Sequence, residues 1–150
     1  MRIYSASSWK NEQAVKILAE TLRKAGHEVY CFAEQGYGQH IFRWDNLPNY
    51  EGLDGITCLQ TEDSRKAFNS DKWSLDWANC CVLFLPCGRD AHLEAGYIKG
   101  LGGKLFILGE FPKGEFSNMY HLADGLFYLT SEGVRQLLDA LRGLDEKPSL

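Results

Sequence analysis

No apolar run in the sequence approaches the roughly 20 residues that a membrane-spanning helix needs. The most apolar stretch, CCVLFLPC at residues 80–87, is short and contains a proline. Basic runs are missing too. With Lys+Arg 16 against Asp+Glu 20, the net charge of -4 argues against a nucleic-acid backbone as partner. The opening residues, MRIYSASSW, enter a strand-like run at once and lack a signal-peptide pattern, so a cytoplasmic location is expected. Cys31, Cys58, Cys80, Cys81 and Cys87 are odd in number. None pairs at the two-residue spacing of a zinc or redox site, and no histidines sit at ligand spacing. They read as buried, reduced thiols. A Walker loop and a dinucleotide fingerprint are both absent, and neither a metal nor another cofactor is expected.

What is present is an ordinary globular composition, 45% hydrophobic over 150 residues, which fits one domain spanning 1–150. Residues 2–6 read as a buried strand. Residues 11–27 follow as a helix with Val15, Leu18, Ala19 and Leu22 at helical spacing and Gly26 as its C-terminal cap. A second strand covers 27–33, and residues 34–60 show no clean period and read as loop with a short helix inside. Residues 61–79 read as a helix with Phe68, Leu75 and Trp77 toward the core. The run 80–87 has the pattern of a strand covered on both faces. Then come a helix at 91–102, strands at 104–109 and 125–130, and an amphipathic helix at 131–143 with Leu137, Leu138 and Leu141 on one face. The tail, 144–150, is expected to fray.

This alternation predicts an α/β fold: a doubly wound, five-stranded parallel sheet in a flavodoxin/Rossmann-like three-layer sandwich. Ligands of such sheets bind beyond the carboxyl ends of the strands, near the switch point between the first and third. Function is therefore expected on residues 5–10, 86–94 and 109–118.

Two of these segments are unusual. The first carries Ser5, Ala6, Ser7 and Ser8, small residues that let a ligand approach the backbone at a helix start, although a serine N-cap accounts for the same pattern. The second, PCGRDAHLE, offers Asp90 as a natural N-cap for a helix starting at Ala91 and places Glu94 just past its first turn. Interaction with the helix dipole alone favours an acid there by roughly 0.3–1 kcal/mol. Yet Glu94 is bracketed by Leu93, Ala95 and Gly96, at the carboxyl edge of the most buried strand, where a carboxylate can act on a ligand.

IYSASSW, with Tyr4 and Trp9, and VLFLPCGRDAHLEAGYIKGLGGKLFIL, with Glu94, together resemble the nucleoside 2-deoxyribosyltransferase family over most of the chain. The resemblance implies that Glu94 is a nucleophile attacking the anomeric carbon of a nucleoside, forming a covalent glycosyl intermediate that an incoming base or water resolves. It implies that Tyr4 orients Glu94 through its hydroxyl, whereas strand tyrosines are otherwise commonly just core. It further implies a homo-oligomer acting on a small nucleoside or nucleotide.

The sequence departs from the family pattern in places. Asp71 and Asp76 both suit the aspartate that precedes the central strand, and Asp76 is the preferred substrate contact. The loop before the nucleophile holds Gly88, Arg89, Asp90 and His92. Arg89 can pair with a phosphate, as a nucleotide would require, or be an exposed loop arginine with no specific role; His92 can pass a proton to a departing base, or simply face solvent. The family supplies an asparagine from a neighbouring subunit near the last strand; here that strand opens without one, and Asn118, a few residues early, is the candidate. Tyr37, Phe42, Trp44 and Tyr50 suit either base stacking or loop packing. Besides transfer of a 2-deoxyribosyl group, two rival readings are a nucleotide N-glycosidase, on a 5′-monophosphate or NAD, and a non-catalytic module binding a nucleotide-derived signal.

Overall fold

The computed structural model describes residues 1–34 and 42–145; Tyr37 and the tail 146–150 lie outside the described residues. Strand β1 (Arg2–Ala6) leads through a serine loop into helix α1 (Glu12–Lys24), then β2 (Glu28–Cys31). Two short 3-10 turns and helix α2 (Gly55–Gln60) precede α3 (Glu62–Trp77), β3 (Cys80–Phe84), α4 (Arg89–Gly100) and β4 (Lys104–Gly109). A 3-10 turn at Asn118–Leu122 leads to β5 (Gly125–Tyr128) and α5 (Ser131–Asp145).

The five strands form one sheet in the order β2-β1-β3-β4-β5, every pair parallel. The order reverses between β1 and β3, which makes their carboxyl ends the switch point. β3 is buried at every position because both its faces are covered. Side-chain alternation divides the core in two. Ile3, Val82, Phe106 and Leu108 pack with Val15, Leu18, Ala19 and Leu22 of α1 and with Leu137 and Leu141 of α5. Tyr4, Ala6, Cys81, Leu83 and Ile107 pack with Leu75 of α3 and Ala91, Ala95 and Ile98 of α4. Gly26 ends α1 in the left-handed region at φ 94°, a conformation that a β-carbon disfavours.

Two expectations fail in α3. Phe68 is 62% exposed and Trp77 only half-buried; the buried positions are Ser64, Ala67, Ser74 and Leu75. The inward face of α3 is built mostly from these small residues with Leu75, and Phe68 lies off it.

Candidate active site

Alternation along β1 sends the Tyr4 side chain to the α4 side of the sheet, where its hydroxyl donates to Glu94 Oε1 at 2.8 Å. Tyr4 is fully buried. Its register partner on β2 is Tyr30; the two rings stack with centroids 5.0 Å apart, and the Tyr30 hydroxyl donates to Asp71 Oδ1 at 2.7 Å. Two tyrosines side by side thus present two carboxylates, one from α4 and one from α3.

Glu94 is hemmed in by protein yet keeps part of its surface open. Burial pushes its pKa up to about 8; the Tyr4 hydrogen bond pulls the other way, and the charges of Asp71 and Asp90 add to the rise. Asp71 is also raised, by burial first, with Tyr30 opposing and Asp90 adding to it. Tyr4 is raised well above its ordinary value, by burial and then by Glu94. A carboxyl group that ionises near neutral pH at a ligand edge is suited to acid–base or nucleophilic work.

The turn that delivers Glu94 is pinned at alternate carbonyls. Ser7 Oγ donates to Phe84 O at 2.9 Å, Asn11 Nδ2 to Pro86 O at 2.7 Å, and His92 Nδ1 to Gly88 O at 2.8 Å. Asn11 Nδ2 also reaches Ser7 Oγ at 3.0 Å, so the first two pins brace each other. Gly88 is the N-cap of α4, with no side chain to bond the first-turn amides, and the helix begins at Arg89. Asp90 is therefore a first-turn acid and not the cap, since the chain turns helical two residues earlier than expected. Gly88, Arg89, Asp90 and His92 are all exposed.

The serine loop is mostly scaffold. Ser5 and Ala6 are fully buried, which removes their side chains from ligand contact. Ser5 shares the parity of Ile3, and its hydroxyl has no hydrogen-bond partner among the described residues. Ser8 accepts from Lys10 N. Trp9 is half-buried, edge-on to Phe32 at 5.0 Å, with the Arg43 guanidinium 4.6 Å above its ring.

Asp76 does not join the site. It is exposed, accepts from Lys72 at 2.5 Å and from the Tyr97 hydroxyl at 2.6 Å, and sits on a different face of α3 from Asp71. Five residues turn a helix about 140° past one full revolution, so the two aspartates cannot face the same cleft. Asn118 is exposed at the start of its 3-10 turn; Tyr120, two residues on, is the residue of that turn that bonds α4, with its hydroxyl 3.1 Å from His92 Nε2. Tyr30, Asn11 and Tyr120 escaped the sequence reading. Tyr30 alone left a signal, since β1 and β2 pair as neighbours in such folds and tyrosines recur in both.

The Cys87 thiol, 3.6 Å from His92 Nδ1, is pushed up to about 11 by burial and by the Glu94 charge, which leaves it a protonated thiol. Among the aromatics of the 42–50 segment, Phe42 and Trp44 pack edge to face at 4.8 Å. Trp44 and Tyr50 line a separate cavity of about 510 Å³ with Leu53, Cys58 and Leu59, which none of the residues around Glu94 lines.

No family model and no curated protein matches the sequence. Solved structures do. A 2-deoxyribosyltransferase from the psychrotolerant bacterium Bacillus psychrosaccharolyticus is similar over 100% of both chains, with 21% identity and a TM-score of 0.59. The CMP N-glycosidase BcmB of Clostridium botulinum is similar over 95% of this chain and 99% of its own, with 14% identity and a TM-score of 0.52. At these identities the likeness is one of fold. The described residues adopt the parallel α/β fold on which those two proteins are built.

Proposed function

We propose that this protein is an N-glycosidic-bond enzyme that transfers a 2-deoxyribosyl group between nucleobases, with Glu94 as nucleophile. The observation that carries this reading is the Tyr4–Glu94 hydrogen bond at the carboxyl edge of the switch point. Both solved neighbours bear names of N-glycosidic or glycosyl-transfer chemistry, which adds support.

In this mechanism Tyr4 holds Oε1 and Oε2 attacks the anomeric carbon. The carbon–nitrogen bond breaks with its electron pair leaving on the base, and an ester forms between Glu94 and the sugar. An incoming base, or water, attacks the same carbon and restores the carboxylate. Charge on the reacting carbon turns positive as the bond lengthens, so the carboxylate that attacks also stabilises the transition state. Glu94 attacks in its ionised form, so its pKa of about 8, raised by burial, places the acidic limb of activity. Asp71, fixed by Tyr30, takes the base-contacting place that Asp76 cannot reach. Incubating the protein with a 2′-deoxynucleoside and a second free base tests the reading. Exchanged nucleoside supports it, and full activity in Glu94→Gln refutes it.

A second reading, hydrolysis of a nucleotide, is favoured by Arg89 in the exposed first turn of α4, where a 5′-phosphate would meet both a guanidinium and open helix amides. Free base and sugar phosphate, without exchange, would identify it. We also propose a homo-oligomer, because Leu93, Leu101, Leu126 and Tyr128 leave apolar surface exposed on the α4 and β5 side. Sedimentation velocity decides between this and a monomer.

A further inference from the structure

We infer that His92 is a positioning residue, a strut that holds the start of α4 and hence Glu94, and that Tyr120 is its outer anchor. This inference rests on the proposed role of Glu94. His92 folds back over its own helix start, and its Nδ1 lies 2.8 Å from the Gly88 carbonyl, which can only accept. Nδ1 therefore carries a proton, and in the neutral ring Nε2 is the bare nitrogen. The Tyr120 hydroxyl, 3.1 Å away, donates to it. The two rings lie parallel within 6°, and Phe111 packs edge-on against Tyr120. A continuous chain thus runs from Gly88 through His92 to Tyr120 and Phe111, joining the β3–α4 turn to the segment after β4.

The turn needs such a support. Gly88 caps α4 without a side chain, and a β-carbon at that position would meet no atom within 4 Å, so neither bonding nor packing by its own residue fixes the cap. Ser7 and Asn11 pin the turn from the β1 side at Phe84 O and Pro86 O. His92 supplies the third pin, from the opposite side, on the last carbonyl before the helix. Without it the turn that delivers Glu94 is pinned by Ser7 and Asn11 only.

The same geometry separates a strut from a proton shuttle. Both ring nitrogens are occupied by protein partners, and protonation of the ring keeps both contacts, with Nε2–H then donating to the Tyr120 oxygen. Neither state offers a nitrogen to a departing base. The charged and titratable groups around the strut are Arg89 and Asp90 in the same helix turn, Cys87 at 3.6 Å, and Tyr120.

Kinetics with two substrates test this. An ordinary 2′-deoxynucleoside needs a proton on its leaving base, whereas the base of an N7-methylated purine deoxynucleoside is already cationic, departs neutral with the bonding pair and needs none. His92→Ala is expected to lower kcat on both by the same factor, about ten- to a hundredfold, the cost of misplacing a reacting group by an ångström or less. KM should stay within about twofold in the same variant, since binding contacts are retained. His92→Asn, whose amide can still donate to the Gly88 carbonyl, should recover most of the loss, and Tyr120→Phe should fall between. If His92→Ala does not fold, the Asn and Phe variants carry the test.

Loss confined to the ordinary nucleoside would make His92 a proton carrier and overturn the inference, as would undiminished kcat in His92→Ala. Should the wild-type protein turn over neither substrate, the proposed function fails on its own. The strut then stands or falls on the Glu94 titration followed by carboxyl ¹³C NMR. A shifted midpoint in His92→Ala supports it, and an unchanged one overturns it.

Discussion

Tyr4 and Glu94, 90 positions apart in sequence, meet through a 2.8 Å hydrogen bond from the tyrosine hydroxyl to Oε1. The bond is the one described contact that favours the charged form of a carboxyl group otherwise pushed toward neutrality. Tyr4→Phe keeps the ring and its stack on Tyr30 but deletes this donor. Hydrogen bonds to charged groups contribute about 1.5–3 kcal/mol, so kcat/KM should fall roughly ten- to a hundredfold near neutral pH. The Glu94 pKa should rise further, which moves the acidic limb of the pH–rate profile to higher pH. A profile that moves down, or stays in place with full activity, would show that the bond does not govern Glu94.

The raised pKa of Glu94 has a consequence for stability that needs no substrate. Its folded value of about 8 exceeds the unfolded value of roughly 4.3. Below the unfolded pKa both states hold the proton, and the group costs nothing. As pH rises toward 8 the unfolded chain ionises first, so the folded state loses ground across that window. Glu94→Gln has no proton to lose. Its stability relative to wild type should therefore be near zero at pH 4 and grow to roughly 3–5 kcal/mol by pH 9, at about 1.4 kcal/mol per pH unit. Urea denaturation at a series of pH values reads this directly. A difference that does not change with pH would mean that Glu94 titrates like an exposed acid.

Asp71 and Asp76 separate a site residue from a surface one on the same helix. Asp71 bonds the Tyr30 hydroxyl, and its charge raises Glu94. Asp71→Asn should lower kcat/KM about ten- to a hundredfold through a lost polar contact to substrate. The variant should also shift the acidic limb to lower pH, opposite in sign to Tyr4→Phe, because one repelling charge is gone. Asp76→Asn breaks exposed contacts to Lys72 and Tyr97, interactions worth about 0–1 kcal/mol, and should leave kcat within about threefold of wild type. Equal losses in both variants would remove Asp71 from the site.

These contrasts mark how far the sequence could be read. The five parallel strands and the layer arrangement were legible because each strand carries its own pattern and parallel pairing leaves few topologies. Val15, Leu18, Ala19 and Leu22 declare the inner face of α1 by spacing alone, and all four are buried. Glu94 stood out because an acid within an apolar, small-residue helix start is unusual. Phe68 misled because size is a poor guide to burial on a helix whose inward face is made mostly of small residues. Asp71 and Asp76 were indistinguishable without the helix phase, which the flat polarity of residues 61–79 does not set. Asn11, His92 and Tyr120 act by bonding carbonyls or one another across the fold, and a carbonyl leaves no mark on a sequence.

Ser5 and Ser7 lie two residues apart in one loop entry, yet their removal should move stability in opposite directions. Ser7 Oγ donates to the carbonyl of buried Phe84 and accepts from Asn11. Ser7→Ala strands that carbonyl and loosens the turn before α4, at a cost of about 1–3 kcal/mol and with loss of activity. Ser5 is fully buried with no hydrogen-bond partner for its hydroxyl among the described residues. A buried hydroxyl without a partner bears a desolvation penalty of about 1–3 kcal/mol, so Ser5→Ala should be neutral or stabilising by up to that amount. Its kcat/KM should match wild type, because the side chain faces α1 and α5, away from Glu94. Thermal unfolding and steady-state kinetics of the two variants, made side by side, decide the matter. If Ser5→Ala abolishes turnover while remaining folded, the hydroxyl has a ligand-side role and its assignment to the core is overturned.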